Sequence, residues 1–135
     1  MSKKFLKKII AQNSSDLNMI SALCADSIVN QSQIKYLKSS KIFILPVIRN
    51  DKENLDNSQK IRSIIKFEFI ESSKSMNINQ KLENNELKLL AIDLFKKDDN
   101  FEIALLFSNN QAITLSCEII EVTLEDMSEI NDKNN

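Results

Sequence analysis

No glycine and no histidine occur anywhere in this chain of 135 residues, and tryptophan is missing as well. Each absence removes chemistry. Without histidine there is no Ser-His-Asp triad, no Cys-His pair and no imidazole ligand for a metal. Without glycine the phosphate-cradling loops of nucleotide-binding proteins cannot be built in their usual form, because they bring backbone close to phosphate at positive φ. The strained G-x-S-x-G turn that presents a nucleophilic serine is missing too. Without tryptophan the strongest aromatic anchor of cation cages and interface hot spots is gone. Arginine occurs only at Arg49 and Arg62, and the net charge is −1. That leaves neither a basic field nor enough bidentate donors for a nucleic-acid partner. Heavy use of Ile, Lys and Asn beside the missing glycine points to an AT-rich coding sequence. The chemical exclusions hold whatever their origin.

What is present describes one globular domain. A hydrophobic fraction of 42% and a charged fraction of 27% are ordinary, and a chain of this length buries about two-thirds of its unfolded surface. Cys24 and Cys117 stand far apart with no C-x-x-C spacing, so both read as buried thiols. The N-terminal "MSKKFLKKIIAQN" has its apolar residues interrupted by Lys7 and Lys8 and lacks the apolar core of a signal peptide. No apolar run approaches the roughly 20 residues that span a bilayer. The expected location is the cytoplasm, with no membrane and no nucleic-acid partner.

Hydrophobic periodicity assigns the elements. "FLKKIIA" (5–11) reads as a first strand with lysines protecting its edge. In "NSSDLNMISALCAD", Leu17, Ile20, Leu23 and Cys24 recur at three to four residues, which predicts one helix capped by Ser14 or Ser15. The period then falls to two. Ile34 and Tyr36 precede a "KSSK" turn into Ile42–Ile48, where Phe43, Leu45 and Val47 share one face and Pro46 predicts an edge or a bulge. Residues 49–60 are polar and aperiodic, as a loop is. Ile65, Phe67 and Phe69 are expected inward, and 87–95 with 101–107 form a hairpin around "KKDDN". Asn109-Asn110 supplies a second turn, since asparagine tolerates positive φ. Ile113, Leu115, Cys117 and Ile119 then share one face, and the phase slip at Ile119-Ile120 predicts a β-bulge.

The fold expected is therefore α+β: one N-terminal helix packed on a bent antiparallel sheet or half-open barrel of six to eight strands, pleckstrin-homology-like in form. The domain is expected to run over residues 1–128, with a polar tail at 129–135.

Several segments, "DLNMISALCADSIV" (16–29), "IKYLKSSKIFILPVIRN" (34–50), "LKLLAIDLF" (87–95) and "LLFSNNQAITLSCEIIEVTLEDM" (105–127), together resemble an uncharacterised alphaproteobacterial family, domain of unknown function 2948. Asp16, Leu17, Ser21 and Asp26 fit its helix pattern, and Cys117, Glu118, Glu121 and Leu124 fit its closing strand segment. The chain departs from that family where Ser108-Asn109-Asn110 replaces a glycine-rich turn. It departs again where Arg49-Asn50 stands without the family's aromatic residues. The resemblance implies a small cytoplasmic protein and assigns no catalytic residue, cofactor or metal.

Candidate sites are few. Cys117 shares the parity of Leu115 and Ile119 and has no activating neighbour, which makes it a core position. Glu118, Glu121, Glu125 and Asp126 read as a solvated acidic face, and so do Asp93, Asp98 and Asp99. Arg49, after the proline-bearing strand and before the long polar loop, is the residue singled out for contact with a partner. The expected role is that of a non-catalytic interaction or scaffold domain whose partner is another protein or a second copy. The alternative is a small-ligand site or a minimal carboxylate enzyme in the concavity of the sheet.

Overall fold

The computed structural model describes residues 6–51, 59–82 and 84–130. One helix, α1 (Ser14–Cys24), packs on a ten-stranded antiparallel sheet that does not close. The strands are β1 (Lys8–Ala11), β2 (Ser27–Asn30), β3 (Lys35–Leu37), β4 (Ile42–Asn50), β5 (Lys60–Phe67), β6 (Ile70–Met76), β7 (Glu86–Lys97), β8 (Asn100–Phe107), β9 (Ala112–Cys117) and β10 (Val122–Ile130). Their order is β1-β10-β5-β4-β2-β7-β8-β9-β6, and β3 pairs with β4 beside this path. Residues from both halves of the sheet, among them Leu45, Ile65, Leu89, Leu105 and Leu115, join one buried cluster, so the sheet bends around a single core.

The helix forms where the spacing predicts it. Leu17, Ile20 and Cys24 are buried, and the cap is Asn13, whose side chain accepts from the Asp16 N–H at 2.9 Å. An asparagine at extended φ satisfies an orphan donor of the first turn as the serines after it would. On the opposite side of the helix interface, Ser21 Oγ accepts from the Ile92 N–H at 2.9 Å. That bond lies just past the register shift between Leu89 and Ala91. The shift explains the unbroken run Leu89–Ile92: Leu89 and Ile92 both point inward while Leu90 is exposed.

Four expectations are corrected. The strand count is ten rather than six to eight, because β2 is short and the six residues after Ile70 in β6 offer no apolar alternation. β4 is not an edge, and it carries no bulge at Pro46: its ladder with β5 runs through Pro46↔Ile64 without a shift. On its other side β3 ends at Ile44 and β2 meets only Ile48, so the donor that proline lacks falls between two partners. Phe69 does not follow Phe67 inward. Its φ of 61° turns the chain, leaving it 41% exposed, and Ile70 takes the interior place. Ile119 is 54% exposed, since β9 ends at Cys117 and the phase slip is a loop into β10. A shift in β10 does occur, between Asp126 and Ser128. That strand also continues to Ile130, into the segment expected as tail. The expected strand start at residue 5 and most of the loop at 49–60 lie outside the described residues.

Turns that other proteins make with glycine are made here by other residues. Asp26, Lys41, Phe69, Asn77, Asp98, Asn109 and Asn110 all have positive φ. The pair Asn109 (63°) and Asn110 (59°) gives the β8–β9 hairpin the two left-handed residues that match strand twist. The Gln111 N–H closes that turn on the Ser108 carbonyl at 3.4 Å.

Candidate functional site

Strand alternation drives a charged group into the interior. In β4 the inward positions are Phe43, Leu45 and Val47, and the next is Arg49, which is 1% exposed. In β10 the inward series is Val122, Leu124 and Asp126, and in β5 it is Ile61, Ser63, Ile65 and Phe67. Because β5 lies between the other two, the register brings Asp126 opposite Ser63 and Ser63 opposite Val47, one step from Arg49.

The result is a fully engaged carboxylate. Arg49 Nε donates to Asp126 Oδ1 at 3.0 Å and Nη2 to Oδ2 at 2.7 Å, a bidentate pair. Ser63 Oγ donates to Oδ1 at 2.6 Å, and the Lys7 N–H donates to Oδ2 at 2.8 Å. The Asp126 N–H returns to the Lys7 carbonyl at 2.9 Å. Burial alone would raise the Asp126 carboxyl. The hydrogen bonds of Arg49, Ser63 and Lys7 and the charge of Arg49 outweigh it and hold the group below its ordinary value. Burial works against the Arg49 cation as well, but Asp126, with Cys24 and Asp51 nearby, keeps it more firmly protonated than usual.

Four donors fill the lone-pair positions of Asp126. A carboxylate so occupied cannot take a proton from a substrate or bind a cation without breaking the scaffold. The site fixes β1, β4, β5 and β10 to one another. Arg49 thus offers a docking partner almost no surface: its guanidinium faces inward, where the sequence reading placed it at a contact.

The other candidates are dispersed. Glu121 accepts from Gln12 Nε2 at 3.2 Å, and Glu125 lies opposite Lys8 on the solvent face. Asp98, Asp99, Glu102 and Glu118 line one open groove of about 490 Å³ together with Lys97. Among the described residues, no group of three His, Cys, Asp or Glu could hold a metal ion. Asp93 is exposed.

Cys24 and Cys117 are both buried and neither is in a disulfide. Burial, with a smaller contribution from the charge of Glu71, pushes the Cys117 thiol up to about 11. At neutral pH its thiolate population is therefore about 100-fold below that of the same thiol exposed to water. Native protein is expected to react with iodoacetamide at Cys117 only after unfolding, as mass spectrometry of the labelled chain will show. Fast labelling of folded protein would refute the core assignment.

The solvent face of the same strands is more open. Ile64 and Met127 lie between two adjoining grooves. One, about 450 Å³, adds Ile10 and Ile44; the other, about 360 Å³, adds Ile28, Pro46 and Ile48. Met127 is 52% exposed and Ile10 53%.

These features define a class: a single helix on an open, bent antiparallel sheet, braced by an internal Arg–Asp pair and apolar on part of its outer face. The chain belongs to the family described as protein of unknown function (DUF2948), whose model matches residues 7–134. No curated protein and no solved structure matches it. No helix among the described residues is long and apolar enough to cross a membrane.

Proposed function

We propose that this is a non-catalytic protein-interaction domain of the cytoplasm, docking a protein partner on the outer face of β1, β10, β5, β4 and β2. The carrying observation is the apolar row Ile10, Ile44, Ile64, Pro46, Ile48 and Met127 on that face, lining two continuous grooves. Charges of both signs alternate around it: Lys8 lies opposite Glu125 in the ladder, Lys66 Nζ is 3.9 Å from Glu68, and Arg62 and Glu86 line the second groove. An apolar partner surface with a neutral rim suits such a face. We read the bend as that of a half-open, pleckstrin-homology-like barrel, supported by the single core shared by both halves. The alternative, a ligand or carboxylate chemistry in the concavity, meets an interior already filled by Leu45, Ile65, Leu89, Leu105 and Leu115.

Affinity purification from the native cell tests the reading. A partner retained by the wild type is expected to fall about tenfold or more with Ile64→Glu or Met127→Glu, a loss of about 1.4 kcal/mol. Thermal unfolding should stay unchanged for Met127→Glu, whose side chain is exposed, while Ile64 is half-buried and its variant is compared at a temperature where it is folded. A wild type that retains no partner, or a partner indifferent to both substitutions, sinks the proposal.

A further inference from the structure

The two ends of the sheet differ. At one end β1 is four residues long and begins with lysine, a short and charged edge. At the other end β6 runs for seven residues, Ile70–Met76, and among the described residues pairs only with β9. On its far side, among the described residues, the backbone is engaged at Ile70, whose N–H donates to the Lys41 carbonyl at 2.8 Å and whose carbonyl accepts from Tyr36 Oη at 2.8 Å. Glu71 adds a side-chain ion pair to Lys41 at 3.0 Å. Residues 72–76 make no backbone hydrogen bond beyond the β9 ladder among the described residues. Of the usual protections of an edge they carry one, a single lysine. There is no proline, Lys74 is the one charge, and the bulge lies before them, between Ile70 and Ser72.

The inward side chains of this strand are also unusual. Ser73 stands opposite Leu115 and Ser75 opposite Ile113, so small hydroxyls occupy positions whose ladder partners are buried aliphatics. Because the serines are short, a slot of about 160 Å³ remains beside them, with Ile34, Phe43, Ile78 and Ile113 among its walls. Its ends are marked. Tyr36 reaches Ile70 at one, and at the other Gln31 Nε2 donates to the Asn79 carbonyl at 2.8 Å.

We propose that β6 is a site of strand addition, accepting an extended segment of about five residues from a partner protein. A row of in-plane N–H and C=O groups is matched by another extended backbone and by no other common ligand, which fixes the class of occupant. Residues 72–76 span about 14 Å at strand rise, which sets the length of the paired segment before the chain must turn outward. Alternate side chains of that segment face the slot, where Ile34, Phe43, Ile78 and Ile113 meet a compact aliphatic residue while Ser73, Ser75 and Gln80 keep part of the lining polar. The proposal rests on the protein-interaction reading, names the partner's chemistry and uses a surface separate from Ile64 and Met127.

The probe is a set of capped pentapeptides, Thr-X-Thr-X-Thr with X as Val, Ile, Leu or Ala, titrated into isotope-labelled full chain at up to about 1 mM, the weak end of useful affinity. Expected are amide shifts confined to residues 70–76 and the slot, strongest for the branched aliphatics. N-methylation of the peptide at alternate residues should abolish binding in one of its two phases and spare it in the other. Ser75→Leu, which fills the slot from within, should weaken binding at least tenfold without lowering the melting temperature, and Ile64→Glu should leave it unchanged. Three results overturn the proposal. In the first, no peptide shifts residues 70–76. In the second, shifts map to Ile64 and Met127 instead, which leaves the interaction reading standing. In the third, Ser75→Leu abolishes self-association, which assigns the edge to a second copy. The peptide scan needs no variant, so poor folding of Ser75→Leu does not remove the test.

Discussion

Asp126→Ala is expected to lower the stability of the domain by about 3–5 kcal/mol, because it leaves the Arg49 guanidinium buried without its counter-charge. Ser63 Oγ and the Lys7 N–H lose their acceptor in the same step. In urea the midpoint should fall by about 2 M, taking a slope of about 2 kcal/mol/M for a domain of this size. The double change Arg49→Met with Asp126→Leu should recover most of the loss, since a buried ion pair is commonly replaceable by apolar groups of similar volume. Failure of the double variant to recover would mean that the hydrogen bonds to Lys7 and Ser63, and not the ion pair, hold these strands. The pair also sets a pH response. Asp126 titrates below its unfolded value near 3.9 in the native state. Its contribution is therefore complete above that unfolded value and is lost as pH falls through the lower native one. Asp126→Asn should flatten the acid side of the stability profile, and parallel profiles for the two proteins would contradict the assignment.

Phe67→Ala has an expected cost of about 3–5 kcal/mol, the range for emptying a fully buried aromatic site. Phe67 has no exposed surface and stands between Val122 of β10 and Phe43 of β4 in the ladder. Its ring meets that of Phe43 edge-on, with centroids 6.0 Å apart and planes at 69°, and Phe43 in turn meets Tyr36 at 6.3 Å. Part of the loss, about 0.5–1.5 kcal/mol, belongs to that edge-to-face contact and should be spared in a Phe43→Leu background. Against a total stability of about 5–15 kcal/mol, this substitution alone removes a large share. It also reaches the β6 slot, because Phe43 lines that slot and Tyr36 ties its end to Ile70. Calorimetric unfolding of the single and double variants checks the cycle.

The helix and the hairpins were legible because each rests on local signals. Leu17, Ile20 and Cys24 repeat at helical spacing, and Asn109-Asn110 supplies its own turn chemistry. The buried pair was within reach of the same logic. Phe43, Leu45 and Val47 already form one face, and two residues on is Arg49; Val122 and Leu124 lead in the same way to Asp126. Treating charge as proof of exposure broke that series at its last member. Pro46 misled for a different reason, since its tolerance depends on a gap between β3 and β2 that no local pattern encodes. β6 was invisible to hydrophobic alternation, because a strand whose inward positions are Ser73 and Ser75 carries no period-two signal.

The pairing of β1 with β10 has a consequence for biosynthesis. Lys8 to Ala11 find their ladder partners in Val122 to Glu125, and Lys7 is tied to Asp126. At about 5–20 residues per second, a ribosome delivers those partners roughly ten seconds after the first strand has been made. Until then β5 lacks its β10 neighbour, and for the earlier part of that interval, before residue 97 is made, α1 also waits for β7, against which it packs. The domain cannot close while its last tenth is still unsynthesised, so any nascent chain stalled before Asp126 presents an open apolar interior to the cell.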